Sequence, residues 1–163
     1  MRYPYAHLLD RLPDRERELR TAVVEEAYSW LEAKTPFREA GDTKGVGVDC
    51  TMLMTRVFVD TGVVPPFDER PYPPRWFLKK VHPELLEPVV LRYGKEIPVK
   101  TVLPGDLLMY KIGRHWAHVA VVVSSEHMIH AFWAIDKVSI TEIRHSGFSS
   151  REHRAFTMRE WGE

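Results

Sequence analysis

The chain has 163 residues, of which 44% are apolar and 28% are charged, a composition typical of globular proteins. Its 23 basic and 23 acidic side chains give a net charge of zero. No overall field therefore draws the protein toward nucleic acid or an anionic membrane, and a partner must be recognised locally. The single cysteine excludes an internal disulfide, and the length predicts one domain over residues 1–163.

The N-terminal residues carry no targeting signal that we recognise. Residues 1–11 lack the apolar core of a signal peptide, and acidic and basic side chains follow at residues 14–17. No stretch approaches the roughly 18 apolar residues that would cross a bilayer. We therefore expect a protein that is made and kept in the cytoplasm, with neither membrane nor nucleic acid as a partner.

Two helices are predicted in the first part of the chain. Apolar residues recur every three or four positions over residues 13–34, which predicts an amphipathic helix. Glycines and polar residues predict a loop over 35–47. Asp49 is a suitable N-cap for a second helix that continues to about Gly62.

A proline-rich insertion is predicted at about residues 63–98. Each proline fixes its own backbone angle and restricts the residue before it, so this segment should be extended and stiff. Short helices are expected from Trp76 and over residues 83–93. The insertion could be a docking surface, a wall of a substrate cleft, or a packed connector.

The second half of the chain changes to short β-branched and aromatic runs. They predict strands at residues 106–111, 117–124, 127–134, 138–143 and 154–158. Helices followed by consecutive strands indicate the α+β class with an antiparallel sheet.

Cys50 is the candidate nucleophile. It falls in the first turn of the second predicted helix, where unpaired N–H groups and the helix dipole favour a thiolate and can hold an oxyanion. A buried cysteine that only fills space is the alternative reading.

Two of the histidines are candidates for the base that serves Cys50. His118 and His130 interrupt two apolar strands, and a hairpin could bring their rings together. Two buried core histidines would show the same pattern. The repeated spacing of His115 with His118 and of His127 with His130 resembles metal ligands, but residues three apart on a strand face opposite ways. We therefore expect no metal site.

Four motifs together resemble the NlpC/P60 cysteine peptidases, papain-like enzymes that trim bacterial cell-wall peptides. They are Asp49-Cys50-Thr51, Pro104-Gly105-Asp106-Leu107, His118-Val119-Ala120-Val121 and Ile129-His130-Ala131, in the order of that family. The resemblance implies a papain-like fold in which the nucleophile begins a helix packed on an antiparallel sheet.

The resemblance also implies roles for individual residues. Cys50 would be the nucleophile, His118 the general base and then acid, and His130 the group that orients His118. The oxyanion or substrate region is expected to contain the residues Phe37, Asp49, Thr51 and Ala117. No cofactor is implied, and the substrate would be a peptidoglycan stem peptide, commonly cut at the D-glutamyl to diamino-acid linkage.

Two residues depart from the family pattern. Phe37 stands where the family has a tyrosine, so a hydroxyl near the site is missing or supplied elsewhere, and Met52 replaces a glycine and could narrow the space behind the nucleophile. These departures leave open a non-catalytic structural component that retains the fold. A cysteine acyltransferase or amidase acting on a non-wall substrate is a further alternative.

The segment from residue 56 to 73 has a narrower resemblance. It is similar to the branch of the family that is encoded with phage tails and gene transfer particles. This similarity implies assembly into a phage-tail-like particle and tail proteins as partners.

Overall fold

The computed structural model describes residues 6–79 and 84–161. Three α-helices lie in these ranges: α1 (Asp14–Glu32), α2 (Cys50–Asp60) and α3 (Leu86–Tyr93). Short 3-10 turns occur at Ala6–Leu9, Trp76–Leu78 and Val99–Thr101. Both helices predicted before residue 63 are therefore present, and the helix expected over 83–93 begins at Leu86; Pro83 lies outside the described residues.

The strands form a small and a large sheet, both antiparallel. The small one pairs β1 (Asp42–Thr43) with β2 (Gly47–Val48). The large one contains β3 (Gly94–Ile97), β4 (Leu107–Ile112), β5 (His115–Val122), β6 (His127–Phe132), β7 (Lys137–Glu142) and β8 (His153–Met158). Its strand order is β3-β8-β4-β5-β6-β7.

The predicted α+β class is confirmed, and all five predicted strands are present. The sequence prediction missed β3 and the small sheet, because their two- and four-residue runs are too short to show a period. Strand alternation builds two cores: Val119 and Val121 of β5 pack toward the helices, whereas Ala120 and Val122 pack on the opposite face with Phe148.

A buried ion pair fastens α1 to the start of β4. The Arg20 guanidinium donates to the Asp106 carboxylate at 2.9 Å and to the Pro104 carbonyl at 3.0 Å. Both side chains are almost fully buried. Asp106 belongs to the Pro-Gly-Asp motif of the sequence, so the motif has a structural role in joining helix and sheet.

The proline-rich insertion packs against the rest of the domain. Val63, Val64 and Trp76 join the helix-side core. Arg70 donates to the Ala40 carbonyl at 3.1 Å, in the loop before β1, and to Asp42, the first residue of β1, at 2.9 Å. The insertion is thereby held next to the start of α2.

Within the described ranges, no helix combines the length and apolar character needed to cross a membrane.

Candidate active site

Cys50 is the first residue of α2, and Asp49 caps this helix as predicted. The Asp49 carboxylate accepts a hydrogen bond from the Met52 backbone N–H at 2.9 Å. A second backbone donor, the Ala40 N–H, lies 2.7 Å from its other oxygen. Asp49 therefore fixes both the helix start and the loop that precedes it.

The Cys50 thiol lies against β5 where the sheet opens. Strands β5 and β6 pair only at Val121–Ile129 and Val122–Met128, so the backbone of β5 before these pairs is free to face Cys50. Ala117 is the extra residue of a β-bulge opposite β4. The Sγ atom of Cys50 donates to the Ala117 carbonyl at 3.6 Å. The bulge thus places a backbone acceptor at the thiol, as bulges near active sites often do.

Burial opposes the effect that the helix start has on the Cys50 thiol. Burial raises the pKa of the thiol from 9.0 to about 12, and the neighbouring Asp49 charge adds to the increase. Hydrogen bonds from the Val119 backbone and the Thr51 side chain oppose this rise. In this structure the sulfur therefore carries its proton at neutral pH.

His118 and His130 are brought together, as the hairpin prediction anticipated. Their Nε2 and Nδ1 atoms are 2.8 Å apart, and Nε2 of His130 is 2.8 Å from the Thr141 hydroxyl. If the Thr141 oxygen accepts from His130 Nε2–H, the His130 Nδ1 lone pair accepts from His118 Nε2–H. This order leaves the Nδ1 lone pair of His118 available as a base.

Apolar surroundings keep both histidines neutral. The His118 ring stacks on Phe148 at 5.1 Å between centroids and meets the edge of Phe132 at 4.9 Å. Burial lowers the pKa of His118 well below 6.5, with His130 and Arg151 as further causes, and lowers the pKa of His130 to about 4. A neutral imidazole is the form that can take up a proton.

Cys50 and His118 line one narrow cleft with a cavity volume of about 30 Å³. Within the described residues the thiol has no hydrogen bond to His118, since its partner is the Ala117 carbonyl. His130 stands behind His118 and does not line this cleft. The cleft walls are completed by the residues Phe37, Glu39, Asp49, Thr51, Tyr72, Trp76, Phe77, Ile112, Ala117, Ala131, Phe132 and Trp133.

The four residues expected around the nucleophile, Phe37, Asp49, Thr51 and Ala117, all border this cleft. Met52 does not border it: its side chain is fully buried in the helix-side core. Met52 therefore lies in the core and not in the wall of the cleft.

The two His-x-x-His spacings do not form a metal site. His115 Nδ1 lies 2.6 Å from a Glu84 carboxylate oxygen, and His127 Nδ1 lies 3.2 Å from the Ser124 hydroxyl, so each is paired away from His118 and His130. In residues 6–79 and 84–161, no three His, Cys, Asp or Glu side chains converge as metal ligands.

Sequence reasoning missed Tyr72, Glu39 and Thr141. Tyr72 and Glu39 come from loops and reach the cleft only through tertiary packing. Thr141 could have been found only from the pairing of β6 with β7, which sets Thr141 opposite Met128 and His130 opposite Ser139 on the same face.

The model of the NlpC/P60 family matches residues 33–157 of the chain. The chain belongs to the NlpC/P60 family. The matched range contains Cys50, His118 and His130, and it begins before Phe37. No curated protein matches this NlpC/P60 chain significantly.

Solved NlpC/P60 structures share the fold at low sequence identity. The NlpC/p60 domain of the peptidoglycan hydrolase SagA matches with a TM-score of 0.57 and 22% identity over 85% of this chain and 98% of that one. The peptidoglycan hydrolase RipB of Mycobacterium tuberculosis gives 0.59 and 20%, over 100% of this chain and 74% of RipB.

RipD of Mycobacterium tuberculosis is also similar, with a TM-score of 0.51 and 18% identity over 85% of this chain and 96% of RipD. RipD is described as a non-catalytic NlpC/p60 domain protein adapted to peptidoglycan binding. Two further matched structures are longer, and this chain spans 40% and 41% of them.

Proposed function

We propose that this NlpC/P60 protein is a cysteine peptidase or amidase that hydrolyses amide bonds in peptidoglycan stem peptides. The observation that carries the proposal is the shared cleft: Cys50 at a helix start and the His118 ring, backed by His130, border the same space. The hydrolases SagA and RipB support the substrate class through the shared fold and family.

The reaction begins from a neutral thiol and a neutral imidazole. As the Cys50 sulfur attacks the amide carbon, its proton passes to Nδ1 of His118, and the carbonyl oxygen becomes an oxyanion near the first N–H groups of α2. Collapse of this tetrahedral intermediate breaks the C–N bond while His118 returns the proton to the leaving amine. An acyl-thioester remains on Cys50.

Water resolves the thioester. His118 takes a proton from the attacking water, and the second tetrahedral intermediate releases the product acid and the Cys50 thiol. The His130 and Thr141 bonds hold the His118 ring in one tautomer through both halves of the reaction. No cofactor takes part in these steps.

The scissile bond of this proposal is the D-glutamyl to diamino-acid linkage. Purified muropeptides of known structure, incubated with the protein and analysed by mass spectrometry, should yield a pair of fragments with one new amine and one new carboxyl group. Fragments from cleavage of another amide bond would change the proposed scissile bond but would still agree with a hydrolase. Unchanged muropeptides would contradict the proposed activity.

A non-catalytic wall-binding role is the second candidate. The hydrogen bond of the Cys50 thiol to the Ala117 carbonyl favours it, because it engages the sulfur away from His118, and RipD is a non-catalytic protein of this fold. Sedimentation with purified cell walls distinguishes the two roles. A protein that only binds sediments with the walls and leaves them unchanged, whereas the peptidase releases soluble peptides and its Cys50→Ala variant does not.

Acyl transfer to an amine is a third outcome of the same site, because an amine can replace water at the thioester. Adding an amine acceptor such as glycinamide to the muropeptide reaction distinguishes hydrolysis from acyl transfer. Hydrolysis gives the free acid as the main product, and transfer gives the acceptor amide.

We also propose that the protein acts as part of a phage-tail-like particle assembled in the cytoplasm. The resemblance of residues 56–73 to that branch supports this setting. Tail genes beside its gene and its recovery in purified particles would agree with the proposal, and its absence from such particles would contradict it.

A further inference from the structure

Tyr72 of the proline-rich insertion reaches the start of the nucleophile helix. Its hydroxyl donates to the Asp49 carboxylate at 2.6 Å, and its ring borders the cleft that contains Cys50. Tyr72 lies in the segment 56–73, outside the four motifs and outside the predicted site residues. The insertion therefore supplies a polar group to the site.

The hydroxyl shares its Asp49 oxygen with a loop donor. Tyr72 O–H and the Ala40 N–H both bond Oδ2 of Asp49, while Oδ1 caps the helix at Met52. Asp49 is 4% exposed, so these donors replace the water that would otherwise solvate its charge. The hydrogen bond from Tyr72 lowers the pKa of Asp49 against the effect of burial.

Arg70 fastens Tyr72 in this position. It donates to the Ala40 carbonyl and to Asp42 on the loop, and to Asp68 on its own segment at 2.6 Å. The loop residue Ala40 is thus bonded both to Arg70 and to Asp49. Tyr72 and Asp49 are therefore held together by two connections, one direct and one through the loop.

The charge of Asp49 also bears on the nucleophile. Asp49 and Cys50 are adjacent, and a carboxylate beside a thiol disfavours the thiolate. A hydroxyl that donates to the carboxylate draws part of its charge away from the sulfur. Phe37, on the same cleft wall, carries no hydroxyl that could do this.

We propose that Tyr72 is a positioning residue of the active site: its hydroxyl holds the Asp49 carboxylate at the start of α2 and screens the Cys50 thiolate from the Asp49 charge. The proposal rests on the proposed function, because it assigns Tyr72 a role in the reactivity of Cys50. It gives the proline-rich insertion a part in catalysis through Asp49.

The test compares Tyr72→Phe with wild type by the rate at which iodoacetamide alkylates Cys50 between pH 7 and 10. Losing the hydroxyl leaves the Asp49 charge less screened, so the rate at each pH should fall by about 3- to 10-fold, equivalent to about 0.5–1 pH unit. Tyr93→Phe is the control, since Tyr93 lies in the insertion but outside this cleft and should leave the rates unchanged.

A double-mutant cycle shows whether Tyr72 acts through Asp49. Asp49→Asn keeps a capping side chain but removes the charge. In this background Tyr72→Phe should change the alkylation rate by less than about twofold, because the screened charge is gone. A thermal melt of each variant shows whether the domain remains folded.

Three results overturn the proposal in different ways. Equal profiles for wild type and Tyr72→Phe, with a reactive wild-type thiol, would exclude the role of Tyr72 and leave the proposed function standing. If the wild-type thiol is not alkylated above the background measured without iodoacetamide at any pH, both the proposed function and the role of Tyr72 are contradicted. The same fall in the Asp49→Asn background would show that Tyr72 does not act through Asp49.

Discussion

Nε2 of His118 lies 2.8 Å from Nδ1 of His130, and this contact joins the two imidazoles in one hydrogen-bonded chain. Each imidazole has one donor and one acceptor nitrogen when neutral, so fixing one hydrogen bond fixes the next. When the Thr141 hydroxyl accepts from Nε2–H of His130, Nδ1 of His130 accepts from Nε2–H of His118.

Thr141→Val should lower kcat by roughly tenfold, because it leaves the buried His130 Nε2–H without its acceptor at a cost of about 1–3 kcal/mol. Thr141→Ser keeps the oxygen and should retain most of the activity. KM should change little in either variant, since Thr141 does not border the cleft. Equal kcat values for the two variants would show that the hydroxyl does not orient the histidines.

The pH dependence of kcat/KM should be a broad plateau. The reactive form has a protonated thiol and a neutral His118, and these coexist between a histidine pKa well below 6.5 and a thiol pKa of about 12. Activity on muropeptides at pH 6 should therefore equal that at pH 8, measured in buffers of constant ionic strength. An acid limb centred near pH 6.5 would show that His118 titrates as an exposed histidine.

Stability should fall as the solution becomes acidic. A histidine with a folded-state pKa below its unfolded value stabilises the fold fully above the unfolded pKa, and this contribution is lost as the pH falls through that value toward the folded pKa. For His130, with its pKa lowered from 6.5 to about 4, the loss between pH 7.5 and 4.5 is about 2–3 kcal/mol.

Urea denaturation at pH 7.5 and 4.5 measures this loss. His130→Gln should reduce the difference in unfolding free energy between the two pH values by most of the roughly 2–3 kcal/mol that the linkage relation assigns to His130. His145→Gln, at an exposed loop position, should leave this difference unchanged. A difference that persists in full in His130→Gln would assign the acid sensitivity to other groups.

Asp106→Asn should destabilise the domain by about 1.5–3 kcal/mol, because it removes one of the two carboxylates that pair with the buried Arg20 charge and leaves only Glu16. Asp14→Asn is the matched control: Asp14 also pairs with an arginine on α1, but its side chain is 86% exposed, so the cost should be at most about 1 kcal/mol. Equal midpoints of urea unfolding for the two variants would contradict a structural role for the motif aspartate.

Local and periodic features were predictable from the sequence. The Asp49 cap depends on neighbours in the chain, and the shared face of His118, Ala120 and Val122 follows from strand alternation. The strands of the second half were found for the same reason. These features need no knowledge of which segments meet in space.

Features that depend on tertiary contacts were not predictable. Tyr72 reaches Asp49 across 23 positions of the chain, and the bulge at Ala117 appears only in the pairing of β4 with β5. The effect of burial on the Cys50 thiol was not predictable either, because it depends on which segments cover the sulfur. A helix start favours the thiolate by about 0.3–1 kcal/mol, whereas raising the pKa from 9.0 to about 12 corresponds to about 4 kcal/mol.

The central claim is that Cys50 is the nucleophile. The most direct test is the rate of amine release from a defined muropeptide by wild type and by Cys50→Ala at equal protein concentration, with melting curves showing that both are folded. We predict release by wild type and no release above the protein-free control by Cys50→Ala. Equal rates for the two proteins would contradict the account.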